Sequence, residues 1–86
     1  MINKRITVNN SFGLETESAG EFCALAMGYS SNIRFKYRGE NEANAKSVLS
    51  ILGAGIRNRE TIELICDGAD EIEALQAIEE YLLGNR

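Results

Sequence analysis

Apolar and polar residues alternate along residues 2–8, with Ile2, Ile6 and Val8 on one side and Asn3, Arg5 and Thr7 on the other. That period of two predicts a half-buried strand. Asn9-Asn10-Ser11-Phe12-Gly13 breaks the pattern and predicts a loop. From Ala19 the period becomes helical: Ala19, Phe22, Cys23, Ala26 and Met27 form one stripe. Glu15, Thr16 and Ser18 are the candidate caps, and Ser18-x-x-Glu21 matches a capping box. Gly28 supplies the stop. Residues 32–38 alternate again, Ile33, Phe35 and Tyr37 against Arg34, Lys36 and Arg38. Gly39 turns the chain into a short strand near Glu40–Ala43, which makes a hairpin.

Ser47 opens a short apolar helix, Val48–Leu52, closed by Gly53 and Gly55. It is too short to be stable alone and must pack to form. Residues 60–66 predict a fourth strand, with Ile62, Leu64 and Cys66 on one face. Asp70-x-x-Glu73 reads as an acidic relative of the capping box. The last helix follows, with Ile72, Leu75, Ile78 and Leu82 inward, Tyr81 flanking and Gly84 at its end. Three amphipathic helices need an apolar face to bury against. A four-stranded sheet provides it, which gives an α+β fold in two layers. The hairpin requires some antiparallel pairing.

Composition narrows the function. Eighty-six residues make one domain, spanning 1–86. An apolar share of 44% suits a folded chain rather than a disordered one. The net charge of -4 argues against a general nucleic-acid binder. Arg34, Lys36 and Arg38 then read as a solvated basic stripe before they read as a phosphate or nucleic-acid site. Cys23 and Cys66 fit no zinc or redox spacing and read as buried thiols, in keeping with a reducing cytosol. No signal-peptide pattern and no apolar run long enough for a bilayer is present, so a soluble cytoplasmic protein is expected. Neither a cofactor nor a metal is expected. The chain contains no histidine. Imidazole is the side chain suited to carrying a labile phosphoryl group near neutrality. Transfer through phosphohistidine is therefore closed to this protein.

Gly13-Leu14, a helix beginning near Ala19, Asn44-Ala45-Lys46-Ser47, the Gly68 turn and the acid-rich Asp70-Glu71-Ile72-Glu73-Ala74-Leu75 together resemble the HPr family. These are the small phosphocarriers of the bacterial sugar phosphotransferase system. The similarity runs the full length, and Ala45-Lys46-Ser47-Val48-Leu49 at its distance from Gly13-Leu14 is its most specific part. The resemblance implies an open-faced sandwich of order βαββαβα, with an antiparallel sheet in strand order 1-4-2-3 and three helices on one face. It agrees with the element order read from periodicity.

The active loop departs from the family pattern Gly-Leu-His-Thr/Ala-Arg-Pro-Ala. Here Glu15 stands for the histidine, Glu17 for the arginine and Ser18 for the proline. The arginine of the pattern would hold a phosphoryl group through charge-assisted hydrogen bonds; Glu17 would repel one. Four readings of Glu15 and Glu17 stand side by side. They imitate the phosphorylated carrier, or Glu15 forms an acyl phosphate, or they bind a metal with Glu21. Alternatively, they only favour a helix N-terminus, worth about 0.3–1 kcal/mol each.

Ser47 matches the serine that a dedicated ATP-dependent kinase phosphorylates in Gram-positive relatives. Its hydroxyl can also cap the helix it precedes, and capping alone would account for it. The resemblance is to the catabolite-repression variant of HPr, which also lacks the histidine and keeps the serine. It implies a non-enzymatic regulatory module of carbon catabolite control. Glu15, Glu17, Gly20, Lys46, Ser47, Val48, Ile51 and Leu52 would meet its partners. Those partners would be an HPr-type serine kinase and a transcriptional regulator or metabolic enzyme, with no nucleic acid or membrane bound directly. The expected state is a monomer or weak homodimer. Phosphotransfer through Glu15, or a module that uses neither phosphorylation, are the alternatives.

Overall fold

The computed structural model describes residues 1–9 and 15–84. Of the loop expected over Asn9–Gly13, all but Asn9 lies outside the described residues, as does the Gly13-Leu14 motif. The elements are β1 (Ile2–Thr7), α1 (Thr16–Met27), β2 (Asn32–Tyr37), β3 (Asn41–Asn44), α2 (Val48–Ala54), β4 (Thr61–Asp67) and α3 (Glu71–Leu82). The four strands pair antiparallel in the order β1-β4-β2-β3. Three helices cover one face, so the fold is the α+β open-faced sandwich.

Register decides which side chains meet the helices. Ile2, Cys66 and Ile33 share one inward row, and Ile6, Ile62 and Tyr37 another. Between them lie Lys4, Leu64, Phe35 and Ala43. Lys4 is tolerated at an inward position because β1 is an edge strand. Its Nζ reaches Glu79 Oε2 of α3 at 2.7 Å, at the rim of the core. Phe22 of α1 lies over Phe35 and stacks on Tyr81 of α3, with ring centroids 6.0 and 5.8 Å apart. The Tyr81 hydroxyl donates to the Ser18 carbonyl at 3.2 Å, which ties α3 to α1.

Several expectations change. Tyr81 is buried rather than flanking, and Ile72 is 60% exposed rather than inward. The buried stripe of α3 is Ala74, Ile78, Tyr81 and Leu82. Two residues of helix turn the chain by about 200°, so the face that buries Ala74 points Ile72 outward. Met27, at the last turn of α1, is likewise exposed, because the buried side of α1 centres on Ala19, Phe22 and Ala26. Cys66 is buried as expected, while Cys23 is only partly so.

The local signals also move. Glu15 is the N-cap of α1, with no side-chain cap bond, and Ser18 donates its hydroxyl to the Glu15 carbonyl at 3.3 Å instead of capping. The back-reaching acid of α3 is Glu71, not Glu73: its carboxylate accepts the Gly68 N–H at 3.0 Å. Gly53 lies inside α2, and the stop is Gly55, whose φ of 57° is the left-handed conformation a helix end often needs. Arg38 and Gly39 both take positive φ, 41° and 92°, so the hairpin turn begins at Arg38. β3 therefore starts at Asn41. Arg38 leaves the outward face of β2, and only Arg34 and Lys36 remain there. Its guanidinium instead donates to Glu60 and to the Ala54 carbonyl that ends α2.

Candidate functional site

The sequence Asn44-Ala45-Lys46-Ser47 joins β3 to α2 without slack. The Asn44 side-chain oxygen accepts the Lys46 N–H at 2.9 Å, and the Ser47 N–H donates to the Asn44 carbonyl at 3.1 Å. Asn44 N–H in turn donates to Ser50 Oγ at 2.9 Å. These bonds hold Ser47 at the N-cap of α2 in extended backbone, φ -131°. Its Oγ accepts the Ser50 N–H at 3.2 Å. The predicted cap is thus present. Ser47 is only partly buried, and no acid lies in the first turn of α2. A negative charge placed on Ser47 would meet no carboxylate from that turn.

The structure separates the residues expected to meet partners. Lys46, Ser47, Val48 and Leu52 are all partly exposed around the start of α2. Lys46 is not a free cation: its Nζ donates to the Tyr29 carbonyl at 2.7 Å and holds the α1–β2 connection against the β3–α2 loop. Ile51 corrects the expected patch, because it is fully buried in the core. Helical spacing explains this. Ile51 and Ala54 form the buried side of α2, which leaves Leu49 outward. Leu49 is 82% exposed and was not singled out from the sequence. The signal was available: a helix with Ile51 and Ala54 inward must turn Leu49 away from the core.

Glu15 caps the start of α1, and Glu17 and Gly20 lie within it; α1 packs beside α2. Glu15 and Glu17 are exposed, and neither forms an ion pair among the described residues. Gly20 has open space where a Cβ would stand. Tyr81 contacts α1 from the Ser18 and Phe22 side, so Gly20, Cys23 and Met27, on the opposite flank by spacing, border α2. The exposed surface of the α1–α2 pair thus combines acids at one end with Met27 and Leu49. Among the described residues no group of three or more Cys, Asp and Glu side chains is placed to hold a metal ion.

A second polar cluster lies at the other end of α3, and sequence patterning missed it. The Asp70 carboxylate accepts from Ser31 Oγ at 2.5 Å, Ser30 N–H at 2.9 Å and Ser31 N–H at 3.0 Å. The Ser31 hydroxyl, followed by the Ser30 amide, pulls the Asp70 carboxyl down to about 2. Glu71 is also held below its ordinary range, by the Gly68 N–H first and then by the chain's amino group. Burial, with the Glu71 and Asp70 charges behind it, pushes the Cys66 thiol up to about 11, which makes it inert as a nucleophile.

Comparison with known proteins places this geometry. A family model described as the HPr component phosphorylation site of the phosphotransferase system matches residues 2–83. The HPr-like protein Crh of Halalkalibacterium halodurans is 33% identical over 78 residues, covering 91% of this chain and 92% of that protein. The phosphocarrier protein HPr of Mycoplasma genitalium is 30% identical over 79 residues, covering 92% and 90%. A crystal structure of HPr from Bacillus anthracis superposes with a TM-score of 0.86 at 28% identity, covering 94% of this chain and 95% of that one. No helix among the described residues is long and apolar enough to cross a membrane.

Proposed function

Because the chain belongs to the HPr family of the phosphotransferase system, whose members are phosphocarrier proteins and not enzymes themselves, we propose that it is a regulatory binding module of carbon catabolite control rather than a sugar phosphocarrier. It is of the Crh type, switched at Ser47. The observation that carries this reading is a Ser47 hydroxyl capping α2 on an HPr scaffold that contains no histidine. Without imidazole the chain cannot carry phosphohistidine, the labile phosphoryl group suited to transfer near neutral pH. Glu15 is a poor substitute, since no cation stands beside it among the described residues to stabilise an acyl phosphate.

Ser47 is suited to a stable phosphate ester. The ester would replace a neutral acceptor by a dianion-like one beside the Ser50 N–H, and new charge of this kind builds or breaks a docking surface. Exposed Leu49, with half-buried Val48 and Leu52, supplies apolar area next to that charge. Glu15, Glu17 and Gly20 on α1 complete the face that a kinase of the HPr type, and then a transcriptional regulator or metabolic enzyme, would read.

Two incubations followed by intact-mass measurement test this. In one, the protein meets the first enzyme of the sugar phosphotransferase system with phosphoenolpyruvate. In the other, it meets the HPr serine kinase with ATP. One phosphoryl group is expected in the second tube only, and none in Ser47→Ala. A phosphoryl group added in the first tube and lost in Glu15→Gln would replace this reading with carriage on Glu15. No addition in either tube would leave a binding module without phosphorylation.

A further inference from the structure

The sheet face turned away from the helices carries a pattern that the Ser47 site does not use. Strand register sets one row straight across it. Arg5 of β1 lies opposite Glu63 of β4, Glu63 opposite Lys36 of β2, and Lys36 opposite Glu42 of β3. The charges alternate, plus, minus, plus, minus. A row of even length with alternating sign is self-complementary. A two-fold axis parallel to the strands would set Arg5 against Glu42 of a second copy, and Glu63 against its Lys36, each pair occurring twice. The adjacent row, Asn3, Ile65, Arg34 and Asn44, brings no like charges together under the same rotation. It would set amide against amide and Arg34 against Ile65.

These charges are only partly satisfied within the chain. Among the described residues Arg5 has no carboxylate within ion-pair reach. Lys36 Nζ stands 3.7 Å from Glu40, whose carboxylate is 93% exposed. Among the described residues the Glu63 carboxylate accepts one side-chain bond, from Asn3 at 2.8 Å, and Glu42 is shared with Arg34 at 3.0 Å. A single-sign partner such as a nucleic acid would meet as much repulsion as attraction along this row.

We propose that this open face is a weak self-docking surface whose occupant is a second copy of this chain, held in register by the Arg5–Glu63–Lys36–Glu42 row. Facing sheets pack with strands about 30° apart, and strands lie about 4.8 Å apart. The Glu63–Lys36 pairs, next to the axis, shift by only about 1 Å under that rotation, whereas the Arg5–Glu42 pairs shift by roughly 4 Å. The central pairs therefore set the register. The face measures about 400 Å² per copy from strand number and length, half the roughly 800 Å² of a standard interface. The association is accordingly weak and salt-sensitive.

Sedimentation velocity and NMR diffusion at millimolar protein test it. At low salt the average mass should rise with concentration. In 1 M salt, where the Debye length is about 3 Å, it should return to the monomer. E63K and K36E should each be monomeric at low salt, and an equimolar mixture should regain the wild-type self-association, because only the mixed pair places Lys against Glu at both sites. A mixture of E63Q and K36Q keeps one Lys36–Glu63 pair per dimer in place of two and should regain only part of it. Far-UV circular dichroism checks folding, and R5E with E42R provides the same exchange should a central variant fail to fold. A wild type that stays monomeric at millimolar concentration and low salt overturns the proposal. So does a charge-swapped mixture no larger than its components, or a dimer that survives both E63K and 1 M salt, as an exchanged-strand dimer would.

Discussion

Asp70 shows how one side chain can decide a junction. Its carboxylate takes three hydrogen bonds from Ser30 and Ser31, and those bonds join the start of β2 to the start of α3. Its folded pKa of about 2 lies below the ordinary aspartate value near 3.9. A depressed acid stabilises the fold above its unfolded pKa and loses that contribution as pH falls through the folded one. The stability of the wild type should therefore fall between about pH 4 and pH 2. Asp70→Asn should be less stable at pH 7 and lose less stability over that window than the wild type, as urea unfolding at stepped pH would reveal. The remaining slope comes from Glu60 and Glu71, which are also held low. Gly68 belongs to the same junction. A Cβ there would meet Ser31 Cα and Oγ at 2.7 Å. Gly68→Ala should cost about 1–3 kcal/mol by overpacking, read from the same unfolding curves. Neither role was legible in the sequence. Asp70 looked like a helix cap, because a period or a box reports only neighbours a few residues away, whereas Ser31 lies 39 residues upstream.

At the scale of elements, local residue types fix the start of α2 better than the starts of α1 and α3. A Ser before a short apolar helix can cap it with no long-range help, and it does. Ser47→Ala should lower stability by about 1 kcal/mol in urea unfolding, the usual worth of such a cap. Helix facing was legible only where large residues carried it. In α3 the apolar spacing puts Ile72 inward, but the buried face is that of Ala74, Ile78, Tyr81 and Leu82, and Ile72 lies outside it. Ile72→Asp should accordingly change stability by no more than about 0.5 kcal/mol, while Ile78→Ala should cost about 2–5 kcal/mol. Comparing the two by thermal or urea unfolding separates the observed face from the face that spacing alone proposes. In α2 the same effect draws Ile51 into the core and presents Leu49, so Leu49 belongs to the candidate docking face and Ile51 does not.

At the scale of the whole molecule, long-range ties connect elements that the chain visits far apart. Arg38, at the β2–β3 turn, donates to the Ala54 carbonyl at the end of α2 and to Glu60 just before β4, and lies 5.1 Å from the Tyr37 ring centroid. Burial alone would raise the Glu60 carboxyl, but the Arg57 N–H and the Arg38 guanidinium more than offset it and hold it below its ordinary range. Arg38→Ala should cost about 1 kcal/mol, since the group is half exposed, and should raise the Glu60 pKa in an NMR titration. Periodicity placed Arg38 on a strand face because it cannot see a positive φ that a tertiary hydrogen bond rewards. By itself, the sequence determined the succession of elements, the inward side of each strand, the cap at Ser47 and the absence of any imidazole, since each of these depends on residue type and local spacing. Periodicity alone left open that β4 lies between β1 and β2, which only the family resemblance supplied, and the tertiary structure decided which face α3 presents, where Arg38 and Asp70 reach, and that Arg5, Glu63, Lys36 and Glu42 line up in one row. Those outcomes depend on which distant segments pair, and a period of two or of 3.6 residues carries no information about the partner.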